Sequence, residues 1–430
     1  MNERVSPRSR LRLRPGGRAR TAVAVIAGAL TLGTLAIGVP TSATASPAAT
    51  ASPGSGASTA ATASPGSGAS AAFAADSATV GDAASGSRRP DGVQQGLEAL
   101  VRDFKAPAAL ATVTGRDGRT RRYTAGVGDL TTGAKVPVDG QVRVGSNTKA
   151  FTSVVVLQLV GEGKVGLDAF VDTYLPGLLR GDGIDGRNIT VRQLLQHTSG
   201  LPNYTEYLEG DRLDRYHEPR DLLDLALAHP SDFTPGDGWK YSNTGYLVAG
   251  MIIQRITGRP VGEEITHRVI DRIGLRHTYF PVPGDTTVHE AHPEGYDRLT
   301  PDGPLTDVTR QDMSWGWAAG ALVSTNTDLN RFYTTLIGGG LLAPELLAQM
   351  RTTVPVDDSF GQGARYGLGL ASFPLTCGGV YWGHGGTLPG YVTRGGVTED
   401  GRAANIAVTT VPAVEAKPRI AADVDAALCR

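Results

Sequence analysis

One serine–lysine pair of this chain has a spacing that suits nucleophilic catalysis. Of the six lysines, only Lys149 follows a serine, Ser146, by three residues. At the start of a helix, this spacing places the hydroxyl and the amine on one face. A serine needs an adjacent base, and a lysine becomes one when burial or nearby cations lower its pKa. The pair therefore predicts a nucleophile with its base; a capping serine beside a solvated lysine is the alternative.

Two further short motifs occur once each and strengthen this prediction. Tyr241 is the one tyrosine of thirteen with an asparagine, Asn243, two residues later. His384 is the one histidine of eight with a glycine two residues later, and Gly385 and Gly386 follow it directly. Glycines beside a strand let a substrate backbone approach closely. Each motif alone also fits a core position, but together with the serine–lysine pair they indicate one active site.

Two other hydrolase classes fit the sequence poorly. An α/β-hydrolase needs a serine at the centre of G-x-S-x-G, and no serine of the chain has that context. A zinc hydrolase would have to use His289, His292 and Glu294, which lack the H-E-x-x-H spacing and lie in a Pro/Gly-rich segment. The sequence therefore predicts neither a metal site nor an organic cofactor.

Apolar spacing predicts strands at both ends of the globular part and helices between them. Residues 93–104 have helical spacing, and two short strands are expected at 108–114 and 121–127. A helix is expected to start near Ser146, and residues 190–273 are rich in helical patterns. Further expected elements are a Pro/Gly/Asp/Thr-rich rim at 281–312, a helix at 327–336, strands at 379–382, 391–397 and 404–410, and a helix at 419–429. This order predicts an α+β fold with one sheet, a helical insertion and a cleft between them.

The first 88 residues are expected to lie outside this fold. Residues 1–45 have the features of a signal peptide: an Arg-rich start, nineteen uncharged residues at 21–39 and a small-x-small cleavage pattern at 43–45. A retained membrane anchor is the alternative reading of 21–39. Residues 46–88 are rich in Ala, Ser, Gly and Pro and cannot bury enough apolar surface to fold, which predicts a flexible linker. The protein is thus expected to be secreted and to meet a membrane only through its signal peptide.

The remaining residues, 89–430, are expected to form one catalytic domain. Its α/β part is predicted from 89–145 and about 325–430, and its helical part from about 146–324. The two cysteines, Cys377 and Cys429, are expected to form a disulfide because an exported chain meets an oxidising environment; two free buried thiols are the alternative. The formal net charge of -1 argues against a nucleic-acid binder that works by general electrostatics.

Together, S-x-x-K at 146–149, Y-x-N at 241–243 and H-x-G at 384–386 resemble the motif set of the penicillin-recognising serine hydrolases. The similarity is greatest to the branch with secreted DD-carboxypeptidases and class C β-lactamases, and it extends over the whole globular part. The segments LLQHTSGLPNY at 194–204 and AGALVST at 319–325 resemble signatures of the same family. The resemblance implies a β-lactamase/DD-peptidase-like fold, with an antiparallel sheet flanked by helices and the active site in the cleft beside the helical insertion.

The resemblance also implies a role for each matched residue. Ser146 would be the acylated nucleophile, and Lys149 would be its base. Tyr241 would relay the proton to the leaving group and later activate the deacylating water. Asn243 would orient the substrate amide and hold the lysine by a hydrogen bond. His384 would supply a donor or a positive charge near the tyrosine.

Substrate-binding groups around the nucleophile follow from the same resemblance. The backbone N–H groups of the nucleophile and of Thr387 would form the oxyanion hole. Gly385 and Gly386 would lie along the substrate. Trp315 and Trp317 would line the cleft, although as a pair they fit the core equally well.

Gly385 departs from the family pattern. Relatives that act on a C-terminal D-alanine carboxylate or on a β-lactam commonly have Thr or Ser at this place, and the hydroxyl helps to hold the carboxylate. Its absence weakens the peptidase assignment and leaves room for an esterase or an aminopeptidase-like substrate. Thr387 or an arginine such as Arg394 could compensate for the missing hydroxyl.

The resemblance implies a secreted serine hydrolase that forms an acyl-enzyme, in the first place a D-alanyl-D-alanine carboxypeptidase acting on cell-wall peptides. An esterase or a β-lactamase of the same fold is the enzymatic alternative, and a penicillin-binding sensor is the alternative that is not an enzyme. The intact serine, lysine and tyrosine count against a sensor, since a binder needs none of them. Expected partners are small peptide or ester substrates, peptidoglycan precursors and β-lactams. The protein is expected to be a monomer without nucleic acid, metal or cofactor.

Overall fold

The computed structural model of the 430-residue chain describes residues 91–208, 213–300, 303–358, 360–411 and 416–430. The predicted signal peptide (1–45) and linker (46–88) lie outside these described residues. Over the described ranges, no helix is both long enough and apolar enough to cross a membrane.

The strands of the main sheet come from both ends of the described part of the chain, and shorter strands lie between them. In chain order they are β1 (Ala108–Thr114), β2 (Thr120–Asp129), β3 (Ala134–Lys135), β4 (Val142–Arg143), β5 (Arg180–Gly181), β6 (Ile184–Asp185), β7 (Tyr296–Arg298), β8 (Leu305–Asp307), β9 (Val323–Ser324), β10 (Val354–Pro355), β11 (Arg365–Tyr366), β12 (Ala371–Pro374), β13 (Val380–Gly383), β14 (Gly386–Leu388), β15 (Tyr391–Thr398) and β16 (Ala403–Val408). In the described part of the chain, ten of them form one antiparallel sheet in the order β10-β11-β12-β13-β15-β16-β1-β2-β3, with β14 paired to β15. The other six form three small two-stranded sheets.

Helices occupy most of the chain between the two groups of strands. In chain order they are α1 (Gly92–Phe104), α2 (Thr148–Gly161), α3 (Val191–Gln196), α4 (Pro219–Leu227), α5 (Asn243–Thr257), α6 (Val261–Ile265), α7 (Asp271–Ile273), α8 (Trp317–Gly320), α9 (Asn326–Ile337), α10 (Pro344–Arg351) and α11 (Ala416–Leu428). Short 3-10 turns lie at Gly145–Asn147, Val171–Thr173, Tyr204–Glu206 and Met313–Trp315, and a π turn lies at Thr266–Ile270.

Strands β1 and β16 pair at the centre of the sheet and are covered on both faces. On β16, Ile406 and Val408 pack in one cluster with residues of α1 and α11. The alternate residues Ala403 and Ala407 belong to the main core on the opposite side. Because successive side chains of a strand point to opposite faces, both sides of β16 are buried. The sheet is therefore a central layer with α1 and α11 on one face and the helical part on the other.

Helix α2 is the central element of the helical part. Its middle residues Val154, Val155, Val156 and Leu157 are 0% exposed. A helix that is apolar on every side must be buried on every side, and α5 and α8 pack against α2 to cover it. The predicted α+β fold, with a sheet built from both chain ends and helices inserted between them, is confirmed.

Two smaller predictions can be compared directly with the structure. Cys377 and Cys429 form the predicted disulfide, with their Cα atoms 5.6 Å apart, and it ties the loop before β13 to the end of α11. Residues 281–312, predicted as a rim, contain the short hairpin of β7 and β8.

Candidate active site

The 3-10 turn that carries Ser146 leads directly into α2 and is held against the sheet. Gly145 has a φ of 51°, and a Cβ at this residue would lie 3.2 Å from the backbone nitrogen of Thr387 on β14. Glycine is therefore favoured both by the backbone conformation and by the close approach of β14. The buried side chain of Asn147 donates from Nδ2 to Thr393 Oγ1 on β15 at 2.8 Å. These contacts fix Ser146, which is half-buried, between α2 and the sheet.

Lys149 is completely buried near the start of α2. Its Nζ lies 3.0 Å from Ser146 Oγ, 2.7 Å from Asn243 Oδ1 and 2.8 Å from the carbonyl oxygen of Ala319. Burial lowers the pKa of Lys149 well below its usual value, because the charged amine is removed from water. The two carbonyl-type oxygens can only accept, so they take the two N–H bonds of a neutral amine. The lone pair of that amine then faces the Ser146 hydroxyl, as a general base requires.

Tyr241 lies beside the nucleophile and the lysine. Burial raises the pKa of Tyr241 above its ordinary value, while the Ser146 side chain and the charge of Arg394 act in the opposite direction. Lys149 Nζ lies 4.9 Å from the centre of the tyrosine ring. Tyr241 is therefore a neutral phenol whose hydroxyl can exchange a proton with Ser146.

Asn243 is held so that its carbonyl oxygen faces Lys149. Asn203 Oδ1 accepts from the backbone nitrogen of Asn243 at 3.0 Å and from its Nδ2 at 3.2 Å. Thr205 Oγ1 accepts from the same Nδ2 at 3.2 Å. With Nδ2 engaged on that side, Oδ1 is left to accept from the lysine. Asn203 belongs to the segment 194–204, which resembles a family signature. The sequence alone gives this residue no role.

Asn203→Ala is expected to lower kcat about tenfold to a hundredfold while KM changes less, because the Asn243 amide would no longer be oriented towards Lys149. Steady-state kinetics with a p-nitrophenyl ester measure both constants. The matched control is Glu206→Gln. Glu206 lies two residues beyond the segment 194–204, and its carboxylate pairs with Lys240 at 3.6 Å. An equal loss of kcat in both variants, or no loss in Asn203→Ala, would contradict the positioning role.

His384 is buried beside Tyr241, with the two ring centres 6.2 Å apart. Burial lowers the pKa of His384 to about 3, so the ring is neutral. Its Nδ1 donates to the Gly385 carbonyl oxygen at 2.6 Å, and its Nε2 accepts from the Tyr366 hydroxyl at 2.9 Å. A donor or a positive charge near Tyr241 stays a prediction for His384, and in this structure both of its ring nitrogens have other partners. The histidine packs beside the site and supports it.

Strand β14 brings the predicted oxyanion-hole residue, Thr387, next to the nucleophile turn. A Cβ on Gly386 would lie 2.1 Å from the carbonyl oxygen of Val144, so a side chain at this residue would push β14 away. The backbone of 386–387 thus contacts that of 144–145. This contact is what an oxyanion hole formed by the backbone N–H groups of Ser146 and Thr387 requires.

Gly385 lies beside the side chain of Arg394. A Cβ on Gly385 would lie 2.8 Å from both Cδ and Nη1 of the arginine. Arg394 is half-buried, donates from Nη1 to the Gly386 carbonyl oxygen at 2.9 Å, and donates from Nη2 to Thr387 Oγ1 at 3.3 Å. Arg394, which could compensate for the missing hydroxyl, therefore lies beside Gly385, where relatives have Thr or Ser.

The two tryptophans of the predicted cleft wall lie in other surroundings. Trp315 is 7% exposed and belongs to the main core, and its carbonyl oxygen accepts from the Tyr204 hydroxyl at 2.5 Å. Trp315 therefore lies in the core, which was the alternative to the cleft wall, because a buried ring offers a substrate almost no surface. Trp317 packs over α5, where a Cβ on Gly250 would lie 2.7 Å from its ring.

Two residues that support Tyr241 were not predicted from the sequence. The ring of His197 lies 4.3 Å from that of Tyr241, and its Nδ1 accepts from the Ser242 backbone nitrogen at 3.2 Å. Burial and the charge of Lys149 lower the pKa of His197 well below its usual value, so this ring is neutral as well. The signature-like segment 194–204 contains His197, which was a usable signal. Tyr366, the partner of His384, has no motif around it.

The histidines of the zinc alternative lie away from this site. His289 Nε2 contacts Asp285 Oδ2 at 2.6 Å, and its ring stacks on that of Tyr279. His292 Nδ1 contacts the backbone oxygen of Glu290 at 2.5 Å. In the portion of the chain that the structure describes, no three His, Cys, Asp or Glu side chains are grouped to hold a metal ion.

The site combines a half-buried serine at a helix start with a buried lysine behind it. A tyrosine lies beside both, and a glycine-containing strand approaches closely. This arrangement is typical of a serine hydrolase. The chain belongs to the Beta-lactamase family, whose sequence model matches residues 97–428. The predicted resemblance to the penicillin-recognising serine hydrolases is thereby confirmed, and the protein is a serine hydrolase of the β-lactamase fold.

Several known proteins are similar to this chain. The structure of a D-stereospecific amidohydrolase from Streptomyces sp. is 37% identical, with a TM-score of 0.71, over 78% of this chain and 98% of that one. A D-amino acid amidase from Ochrobactrum anthropi SV3 is 26% identical, with a TM-score of 0.68, over 78% and 96%. Esterase EstB from Burkholderia gladioli is 31% identical over 50% of this chain and 57% of the esterase. The chain spans about half the length of the curated relatives it matches.

Proposed function

We propose that this protein hydrolyses an amide bond next to a D-configured residue, through an acyl-enzyme on Ser146. The observation that carries the catalytic part is the buried Nζ of Lys149, 3.0 Å from Ser146 Oγ, with two acceptors on its other sides. Such an amine is poised to take the serine proton. The D-configuration is supported by the Streptomyces amidohydrolase, which is 37% identical and covered over 98% of its length.

The proposed reaction has two halves. In the first, Ser146 Oγ attacks the substrate carbonyl carbon while its proton passes to Lys149 Nζ, and the backbone N–H groups of Ser146 and Thr387 stabilise the developing oxyanion. The C–N bond then breaks as Tyr241 passes a proton to the leaving nitrogen, which departs as an amine. In the second half, a water loses its proton to the Tyr241–Lys149 pair and attacks the ester. The carboxylic acid product leaves, and Ser146 Oγ regains a proton from the Tyr241–Lys149 pair.

The D-alanyl-D-alanine carboxypeptidase implied by the sequence is one specific form of this proposal. Its substrate ends in a free carboxylate, and a guanidinium is the side chain best suited to bind one. Arg394 supports this form, because its half-buried guanidinium contacts Thr387 and forms no ion pair with a carboxylate of the described residues.

An esterase is the second candidate function. Two observations favour it: the side chain missing at Gly385, where a hydroxyl would help to hold a carboxylate, and the similarity to EstB, 31% identical over half of this chain. An ester needs no protonation of a leaving nitrogen, so it makes smaller demands on Tyr241 than an amide does. The same nucleophile and base serve both reactions.

Turnover of matched substrates by the full chain separates these functions. The proposal expects D-phenylalanine amide or a diacyl-D-Ala-D-Ala peptide to be hydrolysed well, and the L-forms at least tenfold more slowly by our estimate, since an inverted centre moves the carbonyl away from Ser146. Hydrolysis of a p-nitrophenyl ester with neither amide nor peptide turned over would favour the esterase instead. Rapid hydrolysis of nitrocefin would indicate a β-lactamase. Covalent capture of a fluorescent penicillin without turnover of any substrate would indicate a sensor.

A further inference from the structure

Phe360 stands in contact with aromatic side chains from both sides of the active-site cleft. Its ring centre lies 5.6 Å from that of Trp239 and 6.0 Å from that of Tyr241, which precede α5 in the helical part. It also lies 5.4 Å from the ring of Tyr366 and 6.0 Å from that of Phe373, which belong to β11 and β12 of the sheet. These spacings are typical of aromatic pairs in direct contact.

The loop that carries Phe360 joins β10 to β11 and is anchored by its own backbone. The Phe360 nitrogen donates to the Asp357 carbonyl oxygen at 3.1 Å, and the Ala364 nitrogen donates to that of Gly361 at 2.9 Å. Gly363 has a φ of 68°, which a residue with a side chain rarely adopts. The loop thus presents the phenyl ring in a defined position.

The rings of Trp239, Tyr241 and Phe360 are only half-buried. Lys149 Nζ lies 4.9 Å from the Tyr241 ring centre and 3.0 Å from Ser146 Oγ, so Tyr241 brings this aromatic group close to the acyl position. We use the term aromatic wall for these three residues. Half-buried apolar surface beside a reactive group is typical of a pocket for an apolar part of the ligand.

Two buried histidines, His197 and His384, adjoin the aromatic wall, and both are neutral because burial lowers their pKa values. A charged substrate side chain placed here would lose water, whereas an aromatic or large aliphatic one would bury its surface against three rings.

We propose that the aromatic wall, with Phe360 at its centre, binds the side chain of the acyl-donor residue and selects substrates in which that side chain is aromatic or large and apolar. The proposal rests on the acyl-enzyme at Ser146 set out above. It assigns Phe360 to substrate specificity, a role for which the sequence offered no motif.

The test compares the p-nitrophenyl esters of N-acetyl-D-phenylalanine and N-acetyl-D-alanine, because esters of both residues acylate the serine whether the enzyme is an amidase or an esterase. Wild-type kcat/KM is expected to favour the phenylalanine ester. In Phe360→Ala this ratio is expected to fall about tenfold, the value of one lost aromatic contact. Phe360→Leu should reduce it less, and Phe360→Tyr should retain it.

A purely structural role for Phe360 predicts another result, in which both esters lose kcat/KM in parallel and the ratio stays constant. That outcome, or a wild-type enzyme that favours the alanine ester, would overturn the proposal. Phe280→Leu is the matched control, since Phe280 is a half-buried aromatic residue that packs against Gly262. Failure of the proposed amidase function appears separately, as absent turnover of the corresponding D-amino acid amides while both esters are still hydrolysed.

Discussion

Ser146→Ala is expected to lower kcat by about 10⁴-fold or more on every substrate, because it removes the atom that forms the acyl-enzyme. The loss should be this large since Ser146 Oγ is the hydroxyl oxygen placed 3.0 Å from the buried amine of Lys149. Steady-state hydrolysis of a p-nitrophenyl ester and covalent labelling by a fluorescent penicillin measure the loss, and labelling should disappear completely.

The control for this variant is Ser372→Ala, which removes the hydroxyl of another buried serine, on β12. It is expected to keep full labelling and a kcat close to that of the wild type. Unfolding curves for both variants show that the fold is retained. Residual labelling of Ser146→Ala, or equal losses in the two variants, would show that the nucleophile lies elsewhere.

Lys149→Met is expected to lower kcat/KM by about 10²- to 10⁴-fold, the contribution of a positioned general base. Methionine fills a similar volume at this fully buried site but cannot accept the Ser146 proton. Lys164→Met is the matched control, because Lys164 is an exposed lysine just beyond the same helix, paired with Glu162 at 2.8 Å. If Lys149→Met retained wild-type kcat/KM, another group would have to serve as the base.

The pH dependence of the wild type provides a second test of the lysine. Burial lowers the pKa of Lys149 well below the ordinary 10.5, so the amine loses its proton at a lower pH than a free lysine does. Because the neutral amine is the base, kcat/KM should rise with pH as Lys149 deprotonates and reach its plateau well below pH 10.5. His384, with a pKa of about 3, should add no change near neutral pH. A rate that continues to rise up to pH 10.5 would contradict a buried neutral lysine.

The local chemistry of the site could be predicted from the sequence because it depends on short-range geometry. Three residues make nearly one turn of a helix, so Ser146 and Lys149 face each other wherever a helix starts at that point. The spacing of apolar residues likewise predicts most of the central strands and the helices α1, α9 and α11 within a few residues. With two cysteines in the chain only one pairing is possible, and Cys377 and Cys429 form it.

Sequence patterns say little where burial decides the role of a side chain. The sequence does not show how deeply Trp315 and His384 are enclosed, and burial makes the first a core residue and the second a neutral ring with both nitrogens engaged. A motif can suggest that a histidine is a donor or a cation. Burial away from water favours the neutral ring, which then supports the site by packing.

Contacts between distant segments were also beyond prediction. Asn203 orients Asn243 across 40 residues, and Phe360 meets Trp239 and Tyr241 through a loop that has no motif. Such pairs depend on the packing of the helical part against the sheet, which single-sequence patterns do not encode.

Sequence patterns alone predict the serine–lysine pair and the order of strands and helices, because helical and strand periodicities act over a few residues. Which groups surround that pair depends on the tertiary structure. The folded chain places Arg394 beside Gly385. Gly386 on β14 pairs with Thr393 on β15, and this register brings their neighbours Gly385 and Arg394 together. The tertiary structure also decides the protonation states, because the pKa of a lysine or a histidine depends on how much water the folded chain leaves around it.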